Sequence, residues 1–192
     1  SADPNSISAT GANPVFAEVD PKTLCLSAKT IHEAKTHKTR AVLYVSLYGN
    51  ASNLDEISNY CAKNGLIFIN DCAPALFGTF KGRPLASYGD FSALSFFADK
   101  TITTGEGGMV TTDNEDLVIK MRSIREFGKE KKGIFTNYHT RIGYNWRMPE
   151  VSALMGIRQL KSIEYFIKKR NNIASIYDLI LSELNEITII KP

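Results

Sequence analysis

An acid, a serine, a lysine and a glycine-rich run lie close together in the middle of the chain: Asp71, Ser95, Lys100, and Gly105 with Gly107 and Gly108. Asp71 closes an apolar stretch, Leu66 to Ile69, and Lys100 follows a second, Phe91 to Phe96, directly before TITTGEGG. A lysine is ordinarily a surface side chain and an Asp after a strand ordinarily a turn former, so neither carries weight alone. Their shared position at strand ends, beside a loop too rich in glycine to be mere surface, raises both. Such a loop suggests phosphate, yet its glycines fit neither GxxxxGK(S/T) nor a GxGxxG that opens a helix. The chemistry that uses a lysine near strand ends, with an acid on a second strand, is the Schiff-base chemistry of pyridoxal 5′-phosphate. There a carboxylate keeps the pyridine nitrogen protonated so that the ring withdraws electrons. The lysine anchors the cofactor and, once released, moves a proton between carbons.

The elements that must position these residues read as an α/β fold. Val15 to Val19, among Pro4, Gly11, Pro14 and Pro21, predicts a strand entered from a loop. Ser27 caps a helix to about His37, and Ala41 to Leu47 is a continuous apolar run of the kind found in buried parallel strands. Ser52 with Asp55 resembles a capping box, opening a helix with Leu54, Ile57 and Cys61 on one face and Gly65 as its stop. Strand, helix and strand at this spacing make a βαβ unit, whose ligands gather beyond the carboxyl ends of the strands. The strands at about Phe91 to Phe96 and Gly108 to Thr112 have too little chain between them for a crossover helix, so they are expected antiparallel and the sheet mixed. Asn114 caps a helix to about Phe127, closed by Gly128, and a loop rich in Gly, Lys and aromatics runs to Arg147. Pro149 opens a helical pattern to about Leu184, with a bend or break expected at Arg170, Asn171 and Asn172.

Composition bounds the partners. Of 192 residues, 43% are apolar and 22% charged, which is globular; a chain of this length can bury roughly 70% of its unfolded surface without staples. The net charge of +3 is spread along the chain, and Lys129, Lys131, Lys132 and Lys168 to Arg170 read as solvated faces, so nucleic acid is not the expected partner. Cys25, Cys61 and Cys72 form no CxxC pair, so neither a zinc site nor a disulfide framework is indicated and a reducing cytoplasm fits. No apolar run approaches the roughly 18 residues of a membrane span, and Ser1 to Ser8 is not a signal peptide.

Three runs make the chain familiar: NDCAPALFGTFKGR (Asn70 to Arg83), GDFSALSFFADKTITTGEGGMVTT (Gly89 to Thr112) and GYNWRMPEVSALMGIRQL (Gly143 to Leu160). With GANPVFAEVDPKTL and VSLYGNASNLDEI in the same order, they resemble the DegT/DnrJ/EryC1/StrS family of nucleotide-sugar aminotransferases, the perosamine synthetases being the nearest branch. The resemblance implies the large domain of a fold type I pyridoxal-phosphate transferase, a three-layer α/β/α arrangement on a mostly parallel mixed sheet. It implies Lys100 as the residue that attaches pyridoxal 5′-phosphate, Asp71 on the pyridine nitrogen and Ser95 on the phosphate. Asn145 would reach toward the cofactor phosphate in a neighbouring subunit, giving a homodimer with shared sites, and Trp146 and Met148 would pack in that interface. The implied reaction moves an amino group from an amino acid, glutamate in the first instance, to a nucleotide-linked keto sugar for polysaccharide, lipopolysaccharide or deoxysugar biosynthesis in the cytoplasm.

The chain departs from the family pattern in places. The family often has Glu before Asp71 and Gln or His three residues after it, where this chain has Asn70 and Pro74; a position commonly His is here Ser46. Proline has no N–H to offer a ring. The lysine position is intact, which argues against the family's dehydratases, where histidine stands. Family members also begin with a phosphate-holding segment that would precede Ser1 and continue into a small domain that would follow Pro192. Residues 1–192 are therefore expected to be the central and C-terminal part of the cofactor-binding large domain. An inert piece unable to hold cofactor is the alternative.

Overall fold

The computed structural model describes residues 2–132 and 135–190. The first helix, α1 (Ala2–Ala9), is short and buries nothing. The strand expected at Val15 to Val19 does not form. Residues 12–19 form neither helix nor strand, and Val15 and Phe16 are 69% and 80% exposed. The β-forming side chains are present, but a strand also needs a ladder, and none of the described residues supplies one.

Helix α2 (Ala28–Ala34) opens at Ser27 through a reciprocal cap: the Ser27 hydroxyl accepts from the Thr30 N–H at 3.2 Å, and the Thr30 hydroxyl accepts from the Ser27 N–H at 3.1 Å. It stops short of His37 because Lys35 turns extended. Strand β1 (Ala41–Val45) then leads to α3 (Leu54–Asn64), which presents Leu54, Ile57 and Cys61 to the core and ends at Gly65 with φ +62°. Its predicted capping box is absent. Asn53 stands at the N-cap in the left-handed region, and Ser52 is taken by Asn50, whose Oδ1 accepts from both the amide and the hydroxyl of Ser52.

Strand β2 (Ile67–Asp71), a two-residue hairpin of β3 (Thr79–Phe80) and β4 (Arg83–Pro84), β5 (Phe91–Ser95) and β6 (Gly108–Thr111) follow. The main sheet has the order β1-β2-β5-β6, the first three parallel and β6 antiparallel to β5, which is the mixed sheet expected. Asn114 caps α4 (Glu115–Arg125) by accepting from the Leu117 N–H at 3.2 Å. The expected loop to Arg147 contains an unforeseen hairpin, β7 (Lys129–Lys132) with β8 (Phe135–His139). The side chains of Lys131 and Lys132 lie outside the described ones.

The long C-terminal helical pattern divides into α5 (Glu150–Leu160) and α6 (Ile163–Leu181). The break falls at Lys161 and Ser162; Arg170 to Asn172, where it was expected, lie inside α6 and are exposed. Exposed asparagines can keep their side chains in water, so the pair does not compete with the helix backbone. Among the described residues no helix is long and apolar enough to cross a membrane.

The core lies where the β1-β2-β5 face meets α2 and α3. Tyr44, Leu54, Ile57 and Leu85 are each at most 1% exposed, and Phe68 and Tyr88 pack with them. Each such large side chain contributes about 1.5–3 kcal/mol through burial. This packing fixes the carboxyl ends of β1, β2 and β5, where the candidate residues lie.

Candidate active site

Parallel pairing sets the site. Val45 lies opposite Asp71, and Asp71 opposite Ala93, so Ser46, Asp71 and Ser95 leave the sheet along one edge. Ser95 pairs with Gly108, which puts the start and the end of the glycine-rich loop at that same edge. The loop carries Lys100, whose amide donates to the Phe97 carbonyl at 3.1 Å and whose Nζ lies 3.3 Å from Asp99 Oδ1. The lysine side chain is 25% exposed. Ser95 Oγ accepts from the Phe97 N–H at 3.2 Å, which leaves the hydroxyl hydrogen free to donate elsewhere.

Asp71 is half-buried, and its Oδ1 accepts from the Ala73 N–H at 2.8 Å. Burial pushes its carboxyl up from the usual carboxylate range. The Ala73 amide opposes that, Asp3 of α1 adds to it through like charge and a shared hydrogen bond, and the Lys100 ammonium pulls it back. Asp71 and Lys100 are thus close enough to act on one another, although the described residues hold no ion pair to Asp71 within 4.0 Å.

The folded-state value for Asp71 lies above the unfolded one, so the native state holds an extra proton between the two; stability falls as pH rises through that window, and the full cost stands above it. Asp71→Asn is therefore expected to raise the urea midpoint at pH 7, with the difference from the parent vanishing as the parent's carboxyl protonates. Equal midpoints at pH 7 would contradict the account.

The family departures at positions 46 and 70 are in contact. Ser46 Oγ donates to Asn70 Oδ1 at 3.1 Å, Asn70 Nδ2 donates to the Leu85 carbonyl at 2.9 Å, and both residues are fully buried. A neutral pair therefore sits directly beneath Asp71, satisfied at both ends. Asn70→Ala would take the acceptor Oδ1 from the Ser46 hydroxyl and one of two donors from the Leu85 carbonyl, which keeps the Tyr88 N–H at 3.1 Å, and a loss of about 1–3 kcal/mol is expected by urea titration. Ser46→Ala, which strands only one acceptor, is expected to cost about half as much.

Pro74, half-buried, lies in the turn closed by the Ala75 N–H on the Cys72 carbonyl, and the donor to Asp71 comes from Ala73 instead. Cys72 is fully buried; burial first, and the Asp71 charge second, push its thiol up to about 11, so it is not a nucleophile at neutral pH.

The structure brings Asp71, Ser95 and Lys100 together. Asn145 lies on a different segment: it is exposed and bridges Glu126 through the main chain, between Tyr144 and Trp146, whose rings stack at 4.1 Å. That segment approaches the glycine-rich loop farther on, since a Cβ built on Gly107 would stand 3.1 Å from Met148 Cε. Two residues of the site region had no signal in the sequence: Asp3, which looks like an ordinary helix-start acid, and Gln159 on α5, which reaches the loop from 56 residues away.

Comparisons with known proteins bear on the fold and the family. The chain is 36% identical over 183 residues to the GDP-perosamine synthase of Escherichia coli O157:H7, covering 95% of this chain and 50% of that protein. It superposes on DesI, solved in the presence of its TDP-sugar product, with a TM-score of 0.89 and 31% identity, covering 99% of this chain and 47% of that one. It superposes on E. coli GDP-4-keto-6-deoxy-D-mannose-3-dehydratase, solved with bound hydrated pyridoxal phosphate, with a TM-score of 0.83 and 27% identity, covering 93% of this chain and 50% of that one. The chain thus spans about half the length of the curated relatives it matches. The model of the DegT/DnrJ/EryC1/StrS aminotransferases matches residues 1–192, and the chain belongs to that family.

Proposed function

We propose that this chain carries the lysine half of the active site of a pyridoxal-phosphate-dependent aminotransferase that aminates a nucleotide-linked keto sugar. The observation that carries the reading is the convergence of Asp71, Ser95 and Lys100 on one sheet edge, with Asp71 sensing the Lys100 charge. The donor set fits the cofactor. A half-buried carboxylate without an ion pair among the described residues calls for a cation such as a pyridinium, Ser95 has a free hydroxyl hydrogen, and Lys100 is partly shielded from water.

When bound, pyridoxal phosphate supplies an electron sink that stabilises negative charge on the substrate carbon. Asp71 would hold a proton at the pyridine nitrogen, and Ser95 Oγ would donate to a phosphate oxygen. Lys100 Nζ would be the amine to which the cofactor attaches and, once released from it, the base that takes and returns the proton at the reacting carbon. The lysine itself favours amino transfer over dehydration, because the family's dehydratases carry histidine there. The relatives' perosamine and TDP-sugar chemistry supports the nucleotide-sugar acceptor; glutamate is the proposed donor. Asn145, exposed on its own segment, is assigned to the phosphate of a second subunit, so the enzyme is a homodimer in a reducing, cytoplasmic compartment. Residues 1–192 are read as part of its large domain.

Titration of the chain with pyridoxal phosphate tests the assignment. Saturable, micromolar binding with a visible absorbance change is expected; an unchanged spectrum would favour a cofactor-free piece instead. That second reading is motivated by the chain's spanning only half of its relatives' length.

A further inference from the structure

We propose that Gln159 is a positioning residue for Lys100, clasping the loop that carries it; this rests on the assignment of Lys100 above. The loop runs from Phe96 to Gly107, and its base is closed from within. The Phe96 N–H donates to the Gly107 carbonyl at 2.9 Å, and the Phe96 carbonyl accepts from the Thr104 N–H at 2.9 Å and the Thr103 hydroxyl at 3.0 Å. Thr103 Oγ1 also accepts from the Gly105 N–H, and Thr104 Oγ1 donates to the Glu106 carbonyl. These bonds use the side chains of the returning arm and the main chain of Thr104. They leave the N–H and C=O of Thr103 itself to be satisfied from outside the loop.

Gln159 satisfies both. Its Oε1 accepts from the Thr103 N–H at 3.1 Å, and its Nε2 donates to the Thr103 carbonyl at 2.7 Å. One side-chain amide thus meets both main-chain groups of one residue, as a neighbouring strand would. The approach is close: one helical turn before Gln159, a Cβ on Gly156 would stand 2.9 Å from Thr104 Cγ2. Ile102 and Thr104 are buried at 2% and 5% exposure, whereas Lys100, two residues before Ile102, remains partly open. The arm is therefore fixed immediately after the lysine, and the fixing group sits on a regular helix. Through Pro149, α5 continues the segment that bears Asn145 and Met148. Gln159 thus sets the height of Lys100 over Asp71 relative to a helix that the loop does not otherwise hydrogen-bond.

Gln159→Met keeps the length and removes both hydrogen bonds. In the intact chain it is expected to speed amide exchange at Thr103 about tenfold while leaving Phe68 and Ile69 of β2 unchanged. With pyridoxal phosphate below saturation, borohydride reduction and peptide mass analysis are expected to find about tenfold less label on Lys100 than in the parent. If Gln159→Met does not fold, Gly156→Ala, which pushes α5 off Thr104 with Gln159 intact, is expected to give the same pair of changes. Unchanged Thr103 exchange overturns the clasp. Faster Thr103 exchange with parental labelling of Lys100 overturns the positioning role. A parent that takes no label on Lys100 overturns the assignment of the lysine and this proposal with it, an outcome distinct from equal labelling of parent and variant.

Discussion

Lys100→Ala is expected to remove covalent attachment of pyridoxal phosphate and to lower turnover of the full-length enzyme by on the order of 10⁴-fold or more, because one side chain supplies both the attaching amine and the proton carrier. Lys100→Arg is the sharper variant. It keeps a positive charge beside Asp71, but a guanidinium does not lose its proton in a protein and cannot serve as base or attachment point. Both variants are therefore expected to be inactive, yet they should differ at Asp71. Without the ammonium, the carboxyl loses one of the two influences that hold it down, the Ala73 amide being the other, and should titrate at higher pH in the alanine variant than in the parent. NMR titration of the Asp71 carboxyl reads this directly. Retained labelling in Lys100→Ala would move the chemistry to another residue, and an unmoved Asp71 would show that the two side chains do not share a site.

The second large effect is structural. Gly89 sits at φ +82°, and a Cβ there would stand 2.7 Å from the Phe68 carbonyl, backbone that cannot swing aside. That carbonyl accepts from the Asp90 N–H at 2.7 Å, while Asp90 Oδ2 accepts from the Phe68 N–H at 2.7 Å, so the turn locks the start of β5 to β2. Gly89→Ala combines about 1–2 kcal/mol of left-handed strain with the loss of this lock, a total of roughly 3 kcal/mol. For a chain of this size that corresponds to a fall of about 10 °C in Tm. Gly65→Ala is the control. It shares the positive φ, at +62°, but its Cβ would meet nothing within 4 Å, so only the strain of about 1 kcal/mol should appear. Equal melting points for the two variants would mean that the Phe68 contact gives way at no cost.

The comparison of these two glycines also indicates what could be read from the sequence. Gly65 is legible: it follows a helix whose apolar residues recur at Leu54, Ile57 and Cys61, and the pattern itself says where the chain must stop. The antiparallel β5–β6 pair is equally legible, since the chain between them is too short to cross over, and so is the shared edge of Asp71, Ser95 and Lys100. The contact of Gly89 with Phe68 is not, because it depends on the register of two strands. The same holds for the Gln159 clasp, whose partners are 56 residues apart, and for the Ser46–Asn70 pair, visible in the sequence only as two separate oddities. The β7–β8 hairpin escaped for another reason: KEKK has no apolar alternation to mark a strand. Val15 to Val19 failed in the opposite sense, having the side chains of a strand but no strand to pair with among the described residues.

The reversal of direction at β6 has a mechanical consequence. Had β6 run parallel to β5, the chain after Ser95 would have crossed to the far side of the sheet, with slack in the connection. Instead both ends of the Phe96–Gly107 segment are pinned side by side at the Ser95–Gly108 pair, so the segment behaves as a hoop of fixed circumference, and its circumference measures how far the amine stands from the sheet. One residue spans about 3.3–3.6 Å when extended, more than the length of a hydrogen bond. This hoop should accordingly tolerate changes in the lettering of its residues far better than any change in their number.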